Sequence, residues 1–360
     1  MKEFIAPVRT YAGRGSVSIL ERLGAQRLLV VTDPYFYENG TAARIAAAAK
    51  PQETEYFHQV RPDPTVELAA EGTALVRAFR PDVVVALGGG SAMDCAKAMV
   101  FFSGLEVKLV AIPTTSGSGS EVTDFAILTH RGVKHPLVDP RLRPWAAILD
   151  SDLLDSMPRR LIADTGFDAI SHALESFVAT EGGFFSRSFA REAFCTLHAL
   201  LAASYAGHTE VRLKLHQAST MAGMAFTQSG LGLCHAMSHA LGGLFHVPHG
   251  RLNAILLPAV IELNAHAAGD DYAQLAFAAG IPGSARSIGV RNLKNALLRL
   301  RRELDMPDTL TQAGVDLPSL RAHTGDLVEA VLADPCCRTN PIPVEDFMVR
   351  AVLEKVAGHG

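Results

Sequence analysis

The chain has 360 residues, 48% apolar and 19% charged, enough to fill two domain cores beneath a modest charged surface. Its net charge of −4, with both signs interspersed, offers no basic stripe for nucleic acid. No run reaches the ~18 apolar residues of a membrane-spanning helix. Five cysteines (Cys95, Cys195, Cys234, Cys336 and Cys337), without a CxxC pair, fit reduced thiols better than a disulfide framework. Residues Met1–Pro7 lack a charged-then-apolar leader and enter an apparent strand at once, so a soluble, cytoplasmic protein is expected.

Short apolar runs come first: Leu28–Thr32, a weaker one at Tyr56–His58, Val83–Leu87, and Leu109–Ile112 stopping at Pro113. Helical patterns at Val17–Leu23, Ala42–Lys50, Val66–Phe79 and Ala92–Phe102 alternate with them. Unbroken β-branched strands separated by amphipathic helices predict a mostly parallel sheet covered on both faces. Thr129–Gly132 looks like a hairpin turn, so an antiparallel excursion should follow the fourth strand. Beyond about Pro158 the pattern becomes helical, with segments at Arg160–Thr180, Arg187–Ser204, Val211–Thr227, Cys234–Phe245 and Asn292–Leu304. The expected architecture is an α/β domain over 1–157 followed by an all-α domain over 158–360.

Gly88-Gly89-Gly90-Ser91 follows the strongest strand and opens a helix. Glycines let backbone N–H groups approach a pyrophosphate at the positive end of a helix, although a tight strand-to-helix turn explains them equally well. Ser91 reads as the N-cap, with Asp94 three residues on. The spacing is not GxGxxG. The segment Pro113–Glu121, crowded with hydroxyls and glycines, follows the next strand, where open α/β sheets bind ligands. Asp33 ends the first well-defined strand and is either a ribose acceptor or a turn and cap residue. As a ribose acceptor its carboxylate repels a 2′-phosphate and favours NAD over NADP.

In the helical half, Asp168 and His172 are spaced i, i+4 and share one helix face, as do His235 and His239. His246 and His249 follow. Any one of these histidines is more simply a satisfied core or surface residue. Four within fifteen residues of otherwise apolar sequence, together with Asp168, point to a metal. A carboxylate with imidazoles suits Fe(II) or Zn(II), and the absence of thiolates argues against a structural zinc. Cys234 abuts His235, but on a helix its side chain points about 100° away.

Taken together these motifs resemble the iron-dependent (group III) alcohol dehydrogenase family over essentially the whole chain. The resemblance is carried by the GGGS turn, Thr114–Glu121, the DxxxH helix, the HxxxH…PHG segment and the closing Asp334–Pro341 stretch. It implies a dinucleotide-binding α/β domain followed by an all-helical metal-binding domain. It places the metal, Fe(2+) with Zn(2+) as the alternative, on Asp168, His172, His235 and His249, and makes His239 a non-ligand proton-relay group. NAD(H) is implied at Asp33, Gly89, Gly90, Ser91, Thr114, Thr115 and Lys134. His246 has no implied role, and Ile342 stands where relatives often carry Arg.

The stretches Gly88–Lys97, Gly223–Phe226 and Phe245–Gly250 are similar to family members that interconvert propanal and 1-propanol. A short-chain alcohol or aldehyde substrate is therefore expected. So is a homodimer or larger homo-oligomer, with bacterial-microcompartment shell or cargo proteins as possible partners. Hydride transfer should run with the metal polarising the substrate oxygen. The rivals are a glycerol- or maleylacetate-type dehydrogenase, a dehydroquinate-synthase-like lyase and a non-catalytic microcompartment component. The lyase needs many basic residues around a phosphorylated substrate, and the helical half shows few. The non-catalytic component predicts neither metal nor dinucleotide.

Overall fold

In the computed structural model, which describes residues 4–6, 8–283 and 285–358, the short apolar runs become strands of one sheet. They are β1 (Arg9–Ala12), β2 (Arg27–Val31), β3 (Glu53–Phe57), β4 (Val83–Gly88) and β5 (Lys108–Pro113). After the antiparallel pair β6 (Phe125–His130) and β7 (Val133–Val138), the chain returns as β8 (Ala146–Leu149). The sheet order is β1-β8-β5-β4-β2-β3, and all of these pairings are parallel. The β6–β7 turn falls on Arg131 and Gly132, both with positive φ (51° and 78°), as a two-residue hairpin requires.

Alternation along β4 shows why its sequence is apolar without a break. Val83, Val85 and Leu87 join Leu28, Val30 and Ile45 in one core, and Val84 and Ala86 join Leu29, Val31 and Met99 in the other. Among the described residues four α-helices belong to this unit: α1 (Pro34–Glu38), α2 (Thr41–Ala49), α3 (Val66–Phe79) and α4 (Gly90–Ser103). The chain leaves β2 for β3 on one side, and β4 lies on the other. The carboxyl ends of β2 and β4 therefore flank a topological switch point, the place where such sheets bind ligands.

The second unit is helical: α5 (Arg159–Val178), α6 (Phe184–Ala206), α7 (Arg212–Ser229), α8 (Leu233–Phe245) and α9 (His249–Ala278), then α10 (Arg286–Glu303), α11 (Leu317–Ala322), α12 (Thr324–Ala333) and α13 (Asp346–Ala357). Helix α9 is long and apolar enough to cross a membrane by composition, yet 72% of its most apolar window is buried inside the protein. It also carries an interior proline, Pro258. Proline removes an N–H and orphans the carbonyl four residues back. Here that carbonyl, of Ala254, accepts from the buried guanidinium of Arg301 at 3.1 Å.

The chain divides between Met157 and Pro158, and Phe4 and Ile5 group with the helical unit. Assigning the whole N-terminus to the α/β domain is therefore corrected. Phe4 stacks on Phe185 and Phe189 with ring centroids 5.4 and 5.6 Å away, and the Ile5 amide donates to Gln228 at 3.3 Å. The strand expected from the start begins only at Arg9; Met1, Lys2, Glu3 and Pro7 lie outside the described residues.

Candidate functional site

At the sheet's carboxyl edge the Gly-rich turn packs on the hydroxyl-rich segment. The Thr114 amide donates to the Gly88 carbonyl at 2.9 Å. A Cβ on Gly89 would lie 3.5 Å from Thr115 Oγ1, and one on Gly90 3.2 Å from Ser118. Gly88 holds φ +148° while its Cα faces Ala92, so only glycine fits. Gly89, Gly90, Ser91, Thr114 and Thr115 are thus brought together. One expectation is corrected: the N-cap of α4 is Gly89, and Ser91 is already inside the helix. Nor does Asp94 cap it. Its carboxylate is partly buried, accepting from Ser120 Oγ (2.8 Å) and the Ile127 amide (3.1 Å).

Asp33 caps α1 through Oδ1, which accepts from the Phe36 amide at 3.0 Å. Its Oδ2 reaches toward Gly88, 3.8 Å from where a Cβ there would stand. The two readings of Asp33 are thus compatible, because one oxygen serves the helix and the other faces the turn. Lys134 lies on β7 with its ammonium on Asp63 at 2.7 Å. Sequence reasoning missed Lys97. It is 1% exposed, and its ammonium donates to Ser120 Oγ, Thr123 Oγ1 and the carbonyls of Thr123 and Phe125 at 2.9–3.1 Å, tying α4 to the end of the hydroxyl segment. Burial pulls its pKa down to about 8 against the opposing charges of Asp94, Glu121 and Asp124.

In the helical unit, α5 carries Asp168 and His172, α8 carries His235, and α9 opens with His249. Ligand atoms of Asp168, His172 and His235 lie within 4.8 Å of one another, and all three side chains are buried. Asp168 Oδ1 is 3.9 Å from His172 Nε2, 3.9 Å from His235 Nε2 and 3.5 Å from His249 Nε2. These gaps are too long for hydrogen bonds. They match the roughly 3.4 Å between neighbouring ligands that bond one tetrahedral ion at about 2.1 Å. His172 is clamped between the Phe226 and His235 rings, with centroids 4.4 and 4.5 Å away.

Two residues that sequence reasoning passed over hold these groups in place. Glu175, buried on α5, accepts from His235 Nδ1 at 2.6 Å and from the Gly232 and Cys234 amides at 3.0 and 2.7 Å. One carboxylate therefore caps α8 and fixes the tautomer of His235, leaving Nε2 as the ligand atom. Burial pushes Glu175 up to about 7 against those amides, and burial, then the neighbouring His172, holds His235 neutral, the form a metal requires. Asn253 on α9 donates to Asp168 Oδ1 at 2.9 Å. The donor set, burial and spacing fit a divalent ion. Glu175→Gln leaves one acceptor oxygen where two are used, setting its NH2 group against the Cys234 amide or, if flipped, against His235 Nδ1. It is expected to lower metal affinity about 10–100-fold, measured by competition with a chelator.

His239 is half-buried and not among the metal-spaced trio. Its Nδ1 bonds Asp334 Oδ2 at 2.8 Å, and its ring lies parallel to that of His249, centroids 5.1 Å apart. Burial raises Asp334, but the hydrogen bond and charge of His239 outweigh it and leave the carboxyl below its ordinary range. His246 ends α8 in a left-handed conformation, φ 54°, and is exposed. The Cys234 thiol meets Asn253 Oδ1 at 3.6 Å and is not among the metal-spaced group.

The α/β unit thus carries a switch-point turn and the helical unit a His–carboxylate centre, and the family models that match the two units make the class a metal-dependent oxidoreductase. The model of iron-containing alcohol dehydrogenase matches residues 7–151, and that of the Fe-containing alcohol dehydrogenase family, C-terminal, matches residues 162–357. The chain is 38% identical over 369 residues to the 1-propanol dehydrogenase PduQ of Salmonella typhimurium, covering 99% of this chain and 100% of that one. Among solved structures it is similar to the iron-containing alcohol dehydrogenase of Thermococcus thioreducens (TM-score 0.91, 31% identity, 98% and 99% covered). It is also similar to the sulfoacetaldehyde reductase of Bifidobacterium kashiwanohense in complex with NAD+ (TM-score 0.89, 27% identity, 100% of both chains). The chain belongs to the iron-containing alcohol dehydrogenase family.

Proposed function

We propose that the enzyme interconverts propanal and 1-propanol, or a close short-chain pair, with NAD(H) and an iron(II) ion held by Asp168, His172, His235 and His249. The observation that carries the metal reading is the set of three imidazole Nε2 atoms 3.5–3.9 Å from one oxygen of Asp168. Bound there, the ion acts as a Lewis acid toward the substrate oxygen, and NAD(H) supplies or takes the hydride. His172 and His235 are held by ring stacking, and Glu175 orients His235, so the ligand set is organised before the ion arrives. His239 exchanges the proton with the substrate oxygen through Nε2.

For the cofactor, the Gly89–Ser91 turn receives the pyrophosphate at the start of α4, and Thr114 and Thr115 border it. Lys134 is assigned to the same end as a further cofactor contact. Asp33 favours NAD over NADP through its free Oδ2. Likeness to a relative named as a 1-propanol dehydrogenase supports the substrate, and likeness to a reductase solved with NAD+ supports the cofactor. Iron is preferred to zinc on the family's name.

The test is NADH oxidation by anaerobically purified protein with two- to four-carbon aldehydes, alongside metal analysis of the same preparation. About one iron per chain and the highest kcat/KM with propanal are expected. Zinc in place of iron would reassign the metal, and no NADH consumption with any of these aldehydes would overturn the proposal.

A further inference from the structure

Asp334 belongs to no ligand set, yet both of its carboxylate oxygens are committed. It is the N-cap of the turn Pro335–Thr339, where Oδ1 accepts from the Cys336 amide at 2.8 Å. Oδ2 meets Nδ1 of His239 at 2.8 Å, and the Asp334 side chain is 14% exposed. His239 Nδ1, Asp334 and Cys336 also come close enough to resemble a second metal-binding group. The hydrogen bonds already account for that closeness.

We infer that Asp334 is a positioning residue that fixes the tautomer and aim of the His239 ring for proton exchange with the substrate oxygen; the inference rests on the dehydrogenase reading and on His239 as its relay. An ionised carboxylate has no hydrogen to give, so Nδ1 must be the donor in this bond. The neutral ring then carries its lone pair on Nε2, and only Nε2 is left to exchange protons. Parallel packing against His249 at 5.1 Å and 12° restricts the ring plane. In aldehyde reduction His239 starts as the imidazolium, with a proton taken from solvent on Nε2; the carbonyl carbon takes the hydride pair, the π pair moves to oxygen, and Nε2 releases that proton to the oxygen. His239 is left neutral with Nδ1–H still on Asp334. Alcohol oxidation runs the same transfers backward.

The arrangement makes Asp334→Asn unusually informative. Asn is as good an N-cap as Asp. Its amide oxygen keeps the Cys336 N–H, which turns the NH2 group toward His239. Nδ1 must then become the acceptor, and the ring's proton moves to Nε2, the wrong tautomer for accepting a proton there. The expected result is a fall in kcat of about 100-fold or more. KM for propanal and for NADH should stay within about threefold, with metal content and Tm retained.

A merely structural role would not give the second expected result. Asp334→Asn should add no further loss in a chain that already carries His239→Asn, because the two residues act as one unit. An unchanged kcat in Asp334→Asn overturns the inference, and so does a loss that multiplies in full with that of His239→Asn. An unchanged kcat in His239→Asn removes the relay while leaving the dehydrogenase intact. Failure of the wild type to consume NADH with any aldehyde instead overturns the underlying reading, and the inference with it.

Discussion

His235→Ala is expected to leave the purified protein with less than a tenth of the wild-type metal and to lower kcat/KM for aldehyde about 1,000-fold or more. His235 is the most enclosed of the four candidate ligands, its side chain 1% exposed, and it is held from two directions. Its Nδ1 is fixed by Glu175 at 2.6 Å, and its Nε2 faces Asp168 at 3.9 Å. Alanine removes one donor of four and cannot be replaced by a neighbour. His239, the nearest imidazole in sequence, is bonded to Asp334, and its ring centroid is 6.3 Å from that of His235. Glu175 keeps the Gly232 and Cys234 amides, so α8 should stay capped and the fold intact. Metal analysis by mass spectrometry and circular dichroism on the same sample separate loss of the site from loss of the fold.

Gly250→Ala is expected to damage the same centre from the backbone side. A Cβ on Gly250 would stand 1.8 Å from the Asp164 carbonyl oxygen and 3.0 Å from the Asp168 Cβ. The obstacle is main chain and cannot rotate away. The first turn of α9 would have to retreat from α5 by more than about an ångström, with His249 on the retreating turn and Asp168 on the helix it leaves. The buried Arg251–Asp164 pair, now at 2.6 and 3.1 Å, spans the same gap and would be stretched. Overpacking of this kind costs about 3 kcal/mol, which corresponds to a Tm lower by about 6–12 °C in a unit of this size. Weaker metal binding should accompany it. Gly325→Ala is the control. Gly325 is in α12 with nothing within 4 Å of a new Cβ, and that change should raise Tm slightly or leave it unchanged. Equal losses in the two variants would show that the α5–α9 contact is not what demands glycine at 250.

The parallel sheet was legible because strands covered on both faces carry unbroken apolar runs, as in Val83–Gly88, and because amphipathic helices such as Val66–Phe79 separate them. β8 escaped notice since Ala146–Leu149 is four residues of mostly small side chains, too short to show a period. Helix α9 escaped for the opposite reason. It is apolar on nearly every side, so no stripe marks it, and Pro258 reads as a breaker. Only the fold supplies Arg301 to satisfy the carbonyl that this proline releases.

The same division holds at the site. Asp168, His172, His235 and His249 stand out in sequence because imidazoles are rare in apolar segments and two pairs carry helical spacing. Glu175 looked like an ordinary helix glutamate, although its place seven residues beyond Asp168 and three beyond His172 puts it on their face. Asp334 could not be found this way, since its link to His239 spans 95 positions in the chain.

The central claim is that a metal held by Asp168, His172, His235 and His249 is required for alcohol–aldehyde interconversion. The most direct test is to remove the metal with a chelator, verify its loss, and follow NADH oxidation with propanal before and after Fe(II) is returned anaerobically. The predicted result is activity that disappears with the metal and returns in proportion to bound iron at about one per chain. Full activity in verified metal-free protein would contradict it.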